Sequence, residues 1–410
     1  MSTSTTTKTP TTRLSLWFWL TLAGIAIISF VRVVTSSNDL TSPGTIRAAV
    51  IATCPILLAA LGGLWAERAG VVNIGLEGQM ILGSWGGAFF TYHYGPWIGI
   101  LGAALFGLIG GLLHAVATVT FGVDHIVSGV AINLIGAGAA KYLAEAIFKE
   151  YEGGGPSQLI GLDAPPNITI PGISDAALDI AGKHWFIVSD IAAVIAAATT
   201  RINSLTVLVF VLVVVSGWVL WRTSFGLRLR SCGENPQAAE TLGVDVYRYK
   251  YIAVMISGAL AGIGGGFLAL VSSSGFSDGQ TGGRGYIGLA AMIFGNWRPG
   301  GLLAGSLTFG YTDSLRLRDS EAIHALLLLA GIGFLAFAIY RAWRGQRRGA
   351  VGVGVAGLLL LAWFLATDSV PRDFTSMTPY VTTLVVLALG TQRLRMPAAD
   401  GKPYERGSAG

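Results

Sequence analysis

The chain has 410 residues, 52% of them hydrophobic and only 12% charged, with a mean hydropathy of +0.63. A soluble domain carries roughly 25% charged residues, so a water-soluble globular enzyme is excluded, and the length is better counted in membrane spans than in soluble domains. The net charge of +5 says nothing about nucleic acid, because the basic residues track the loops between apolar runs.

Residues 1–13 are rich in Ser and Thr and read as a disordered N-terminus on the cytoplasmic side. The next apolar run is long for a signal-peptide core and no A-x-A site follows it, so a retained first helix is expected. About 20 apolar residues are needed to cross a hydrocarbon core roughly 30 Å thick. Spans are predicted near 14–34, 46–65, 74–93, 97–119, 126–148, 204–221, 250–271, 301–316, 322–340, 351–367 and 379–391. A short apolar piece at 286–297 cannot cross alone as an ideal helix, and 186–200 reads equally as a surface helix or a half-span. The expected fold is an all-α, polytopic transmembrane bundle of about 11–12 spans, some broken or short. Most of the 27 Lys and Arg then fall on one side, notably in 222–250, in "RAWRGQRR" and in "QRLR", which places both termini in the cytoplasm.

Within this chain, "GLWAERAGVVNIGLEGQMILG" (63–83) sets polar groups between two apolar runs. Irregular backbone at membrane depth is tolerated only where protein or a watery cavity surrounds it. The stretch is therefore expected to be a discontinuous span in which Asn73, Glu77 and Gln79 either face a solute pathway or pin the broken backbone. Asn supplies two donors and an acceptor, whereas an ionised Glu only accepts, a set that suits an uncharged polar solute. Glu67 and Arg68 are expected at the inner interface as an ion pair or topology anchor. Further on, Asn133 in "SGVAINLIGAG" is a second pathway candidate or an interhelical hydrogen-bonding group, and Lys141 shares its helix face. Small residues every fourth position, at Gly99, Ala103, Gly107 and Gly111 and again at Gly258, Gly262 and Gly266, predict close helix packing.

The longest polar stretch is 222–250. In it, "NPQAAETLG" reads as a short helix, with Asn235 as N-cap, Pro236 at the first position and Gly243 as the stop. Gln237 and Glu240 are expected to point outward. The stretch is either a solvated connection or a rigid docking helix for a cytoplasmic partner. "IGLEGQMILGSW" (74–85) is echoed by "IGLAAMIFGNW" (287–297). The predicted topology runs the first outward and the second inward, the pattern of an inverted repeat whose interrupted helices meet at a substrate site. No G-x-x-x-x-G-K-[ST] is present, and the five histidines form no H-E-x-x-H, so no nucleotide, metal or cofactor site is expected within the chain. Cys54 and Cys232 are not expected to pair.

These motifs also carry a resemblance. "TSFGLRLRSCGENPQAAETLGVDVYRYKYIAVMISGALAGIGGGFLAL" resembles the coupling region of importer-type ABC permeases, most closely those of the branched-chain amino acid and simple-sugar superfamily. "GGLWAERAGVVNIGLEGQM", "GGRGYIGLAAMIFGNWRPGG" and "GTQRLRMPAADGKPYERG" look most like nucleoside-type permeases that work with a basic-membrane-protein-like lipoprotein. The resemblance covers 45–320 and 377–407, and 321–367 looks like an inserted helix pair. It implies a permease core at 14–320, a final span region at 368–395 and a cytoplasmic tail at 396–410. It also implies an inner-membrane transport subunit that is not itself an enzyme. Such a subunit pairs with a second related permease, with cytoplasmic ATPase chains that hydrolyse ATP, and with an external binding lipoprotein. Gly233, Glu234, Asn235, Ala239, Glu240 and Gly243 match the loop that such permeases seat in the ATPase. The implied solute is a nucleoside, with a simple sugar or branched-chain amino acid as the alternative. A secondary transporter or channel would leave the 222–250 loop without a purpose.

Overall fold

The computed structural model describes residues 16–316, 320–371 and 394–407. In chain order its helices are α1 (Leu16–Thr35), α2 (Pro43–Arg68), α3 (Leu76–Tyr94), α4 (Pro96–Ala115), α5 (His125–Ile147), α6 (Ile173–Ala181), α7 (Val188–Thr199) and α8 (Ser204–Arg222). They continue as α9 (Ser224–Glu234), α10 (Pro236–Thr241), α11 (Val246–Phe267), α12 (Arg284–Phe294), α13 (Pro299–Arg316), α14 (Ser320–Trp343) and α15 (Arg347–Ala366). Strands are only two or three residues long. β1 (Gly154–Gly155), β2 (Gln158–Ile160) and β5 (Gly275–Ser277) pair antiparallel in that order, and β3 (Asn167–Ile168) pairs with β4 (Ile202–Asn203). The fold is thus an all-α polytopic bundle, with seven helical segments among the described residues long and apolar enough to cross a membrane.

The predicted spans that fall among the described residues coincide with helices, and the two apolar pieces not counted as spans are short helices. The 286–297 piece is the 11-residue α12, and 186–200 is the 12-residue α7, so each is too short for a full crossing at 1.5 Å per residue. The span expected at 379–391 lies outside the described residues. The polar 222–250 loop is more ordered than its composition suggests. Thr223 accepts the Gly226 amide at 3.1 Å and so starts α9, an amphipathic helix that precedes the expected one at 235–243.

The chain divides into two compact units. One comprises residues 16–43, 172–196 and 320–371 of the described chain. In it α14 and α15 form a hairpin turned at Gly345, and Val31, Leu40 and Ala325 join α1 to α14. Asp190, at the start of α7, is buried here. It accepts the hydroxyls of Ser29 and Thr41 and pairs with Arg32 at 2.9 Å. The other unit comprises residues 44–171, 197–316 and the tail from 394 of the described chain, and it holds the largest hydrophobic core. Its centre is the packing of α3, α4 and α11. A Cβ on Gly107 would fall 2.2 Å from the Gly258 carbonyl oxygen, and one on Gly83 would fall 2.3 Å from the Gly262 Cα. The predicted small-residue stripes are therefore seams where backbone meets backbone.

Candidate functional site

The chain breaks between α2 and α3. The Gly70 amide donates to Glu67 and the Val71 amide to Ala66, the two bonds of a Schellman motif, and Gly70 takes the positive φ (+82°) that this ending requires. Residues 72–74 then run outside the helical ladder, and side chains from α4 and α5 bond their backbone. The Val72 amide donates to His125 Nδ1 at 3.2 Å, and His114 Nε2 donates to the Val72 carbonyl at 3.0 Å. His114 Nδ1 is left to accept from Ser128 at 2.8 Å. His125 Nδ1, which accepts an amide, is therefore unprotonated, and His114 Nε2, which faces a carbonyl, carries a proton.

Asn73 is wholly buried. Its amide donates to Gln79 at 3.0 Å and to Ser257 of α11 at 2.9 Å, and Gln79 donates back at 3.3 Å. Asn133 of α5 bridges the break from the other side. It accepts the Gly78 amide at 2.7 Å and donates to the Ile74 carbonyl at 3.1 Å and the Tyr286 hydroxyl at 2.9 Å. Asn133 is half-buried and Tyr286 is 48% exposed, so these two form the open edge of an otherwise closed network.

Glu77 joins the two echoed segments. One carboxylate oxygen accepts the Gly283 amide at 2.8 Å and the other accepts the Gly285 amide at 2.7 Å. It sits in the first turn of α3 and binds the free amides that open α12, so one negative charge lies at the positive ends of two helices. The approach demands glycine: a Cβ on Gly285 would lie 2.7 Å from the Glu77 Cα. The structure thus brings Asn73, Glu77, Gln79 and Asn133 to one break, where every one of them pins backbone or a neighbouring side chain. The two histidines and Ser257 were missed by sequence reasoning. The visible signal was a histidine inside one apolar run and another at the head of the next, without a metal motif to explain either.

A second cluster forms at the end of α2, on α9 and α10. Asn235 accepts the Ala238 amide at 3.0 Å, Pro236 opens α10, and Gly243 ends it at φ +81°, as expected. Gly233 lies against the end of α2, where its Cβ would be 2.4 Å from the Arg68 carbonyl oxygen. Ala239 is buried with Cys232 and Val246. Glu234 lies 3.8 Å from Arg68 and accepts the Ala398 amide at 3.3 Å. Of the two roles expected for Glu67 and Arg68, ion pair or topology anchor, an ion pair with each other does not form. Glu67 instead accepts the Trp297 indole N–H at 2.5 Å, and Arg68 donates to the Trp297 carbonyl at 2.6 Å.

Glu240 was expected to point outward, but the chain's tail takes it. The Tyr404 hydroxyl donates to it at 2.5 Å and Arg406 pairs with it at 3.1 Å. That hydroxyl holds the Glu240 carboxyl below its usual range, while burial and Glu240 together push the Tyr404 phenol up. Gln237, Ala238 and Leu242 form the outer face of α10, and Leu242 is 84% exposed.

The family model described as branched-chain amino acid transport system / permease component matches residues 45–336. The chain is 34% identical to the guanosine ABC transporter permease protein NupQ of Bacillus subtilis, over 88% of this chain and 96% of the relative. It is also 34% identical to the nucleoside ABC transporter permease protein NupC of Lactococcus lactis, over 87% and 94% respectively. A putative glucose ABC transporter permease, TsgC13 of Haloferax volcanii, is 32% identical over 69% of this chain and 80% of its own length. No solved structure matches the chain.

Proposed function

The chain belongs to the branched-chain amino acid transport permease family, and from that premise we propose that it is the membrane subunit of an ATP-driven importer carrying nucleosides across the cytoplasmic membrane. The observation that carries the solute class is the placement of Glu77. Paired helix N-termini are a ready site for a solute carboxylate or phosphate. Here Glu77 fills that site from within. A branched-chain amino acid would find its carboxylate site occupied by like charge, whereas a neutral nucleoside needs only the donors and acceptors of an edge such as Asn133 and Tyr286. Resemblance over nearly the whole length of two permeases named for nucleosides supports the same reading. A simple sugar is also neutral, and the likeness to TsgC13 keeps it as the second reading.

The drive comes from separate ATPase chains seated on α10. The support is its cap, proline and glycine stop, which give a rigid helix whose exposed face carries Gln237, Ala238 and Leu242. A secondary carrier has no use for such a helix. A second related permease completes the pore, an external lipoprotein delivers solute, and both termini lie in the cytoplasm. Uptake of labelled nucleosides, sugars and amino acids in a strain lacking only this chain is the test. Selective loss of nucleoside uptake is expected. Loss confined to amino acids would overturn the solute class, and uptake that persists after removal of the ATPase would overturn the drive.

A further inference from the structure

Besides the Ala398 amide on Glu234, the tail from 394 to 407 is joined to the polar end of its unit at four places among the described residues. The Arg395 amide donates to Asn296 at 2.6 Å and the Ala399 amide to the Gly233 carbonyl at 2.9 Å. Tyr404 packs on Tyr247, with ring centroids 5.6 Å apart, and beneath Lys250, and it bonds Glu240 beside Arg406. The fourth join is Asp400, which is 7% exposed. Both its carboxyl oxygens are shut from solvent, and no standing N–H or O–H donor makes a well-formed hydrogen bond to them among the described residues. The side chain that reaches Asp400 is the carboxyl of Glu67, itself 5% exposed and engaged with Trp297, and the Gly401 amide lies alongside.

Two buried carboxyls in hydrogen-bonding contact cannot both be ionised at low cost. One must carry the proton that makes the bond, and the pair titrates as a unit. The charged groups facing it are Arg68 from α2 and Lys250 from α11. Neither forms an ion pair with Asp400 among the described residues, and Arg68 is turned to the Trp297 carbonyl and Glu234.

We infer that the 394–407 segment is a proton-linked strap for α10: it seats fully when Glu67 and Asp400 share one proton, and the seated strap fixes α10 through Tyr404 and Arg406 on Glu240. Burial pushes the Asp400 carboxyl up to about 7. The seated state therefore binds a proton that a free tail releases, so the Asp400 join holds below that value and is lost as pH rises through it. Only the consequence for transport rests on reading α10 as the ATPase seat. The strap itself is tested without ATP.

The full-length chain, with Cys54 and Cys232 replaced by Ala and a spin label at Lys402→Cys, is placed in lipid nanodiscs. Lys402 is exposed, so the label does not itself unseat the tail. The mobile fraction of the label should rise roughly threefold or more between about pH 6 and about pH 8.5. Asp400→Asn is isosteric and donates to Glu67 as the protonated acid does, so it should hold the label immobile at both values. Tyr404→Phe keeps the ring but loses the hydroxyl on Glu240, and should raise mobility at both. A wild-type signal flat across this range, or an Asp400→Asn variant that keeps the wild-type pH response, would overturn the shared proton. Tyr404→Phe at wild-type mobility would overturn the hold on α10. Loss of nucleoside selectivity with the pH response intact would instead count against the transport reading alone.

Discussion

Glu77 and Glu240 each receive two groups through one carboxylate, yet they do different work. Glu77 is 7% exposed and takes two backbone amides from a helix that begins more than two hundred residues later. Its charge replaces the solvation that those amides lost, so removing it strands two donors. Glu240 is 28% exposed and takes two side-chain tips from the tail. Water can replace both, so its bonds can break and reform without harm to the fold. The contrast teaches that burial of the partners, and not the number of bonds, separates a carboxylate whose bonds the fold needs from one whose bonds water can replace.

The sharpest way to break this contrast is Glu77→Leu. Each orphaned amide should cost about 1–3 kcal/mol. Uptake should be lost together with thermal stability in detergent, and a leucine variant that melts like wild type would remove the basis of the contrast. Glu77→Gln should be milder but still damaging, since its amide nitrogen must oppose one of the two N–H groups. Gly285→Ala should rival the leucine change, because the new methyl meets the Glu77 backbone at 2.7 Å; the same melting assay reads it. Third in size is His114→Leu, which strips the Val72 carbonyl and Ser128 of partners. A loss of about 1–3 kcal/mol is expected, with folding retained in a fluorescence size-exclusion assay.

Glu240→Ala should leave melting unchanged while reducing ATPase stimulation by solute-loaded binding protein. Equal loss of stability in Glu240→Ala and Glu77→Gln would erase the distinction drawn here. The smallest effect is a pH window for seating of the tail. The Glu240 carboxyl is held low by the Tyr404 hydroxyl, so its bonds are intact above the usual glutamate range and fail as pH falls below it. The Asp400 join fails in the opposite direction, as pH rises through about 7. Protection of the Arg406–Gly407 bond from trypsin should therefore peak between the two limits and decline on either side.

What was legible in the sequence was local. Asn235, Pro236 and Gly243 act within one turn of each other, so cap, first position and stop could be assigned from spacing alone. The break at 69–75 was legible because polar residues interrupt an apolar run, and the two roles left open for Glu77 included the one it fills towards Gly283 and Gly285. The identity of those amides was not legible, since 206 residues separate Glu77 from Gly283 and only folding brings them together. His114 and His125 were passed over because a histidine without a metal motif carries no pattern, although a buried carbonyl and a buried amide both needed a partner. The seat of the tail was hidden for a related reason. Asp400 looks like any polar residue near a chain end until Glu67 is found beside it.

The glycine seams have a mechanical meaning. Asp245 caps α11 immediately after α10, and α11 meets α3 and α4 through Gly258 and Gly262 with no side chains between. Side chains in an ordinary helix interface can change rotamer and absorb a small push before the next backbone moves. A bare backbone contact has no such cushion. A displacement applied at α10 is carried along α11 and delivered across these seams as movement of the neighbouring helices, with almost no backlash.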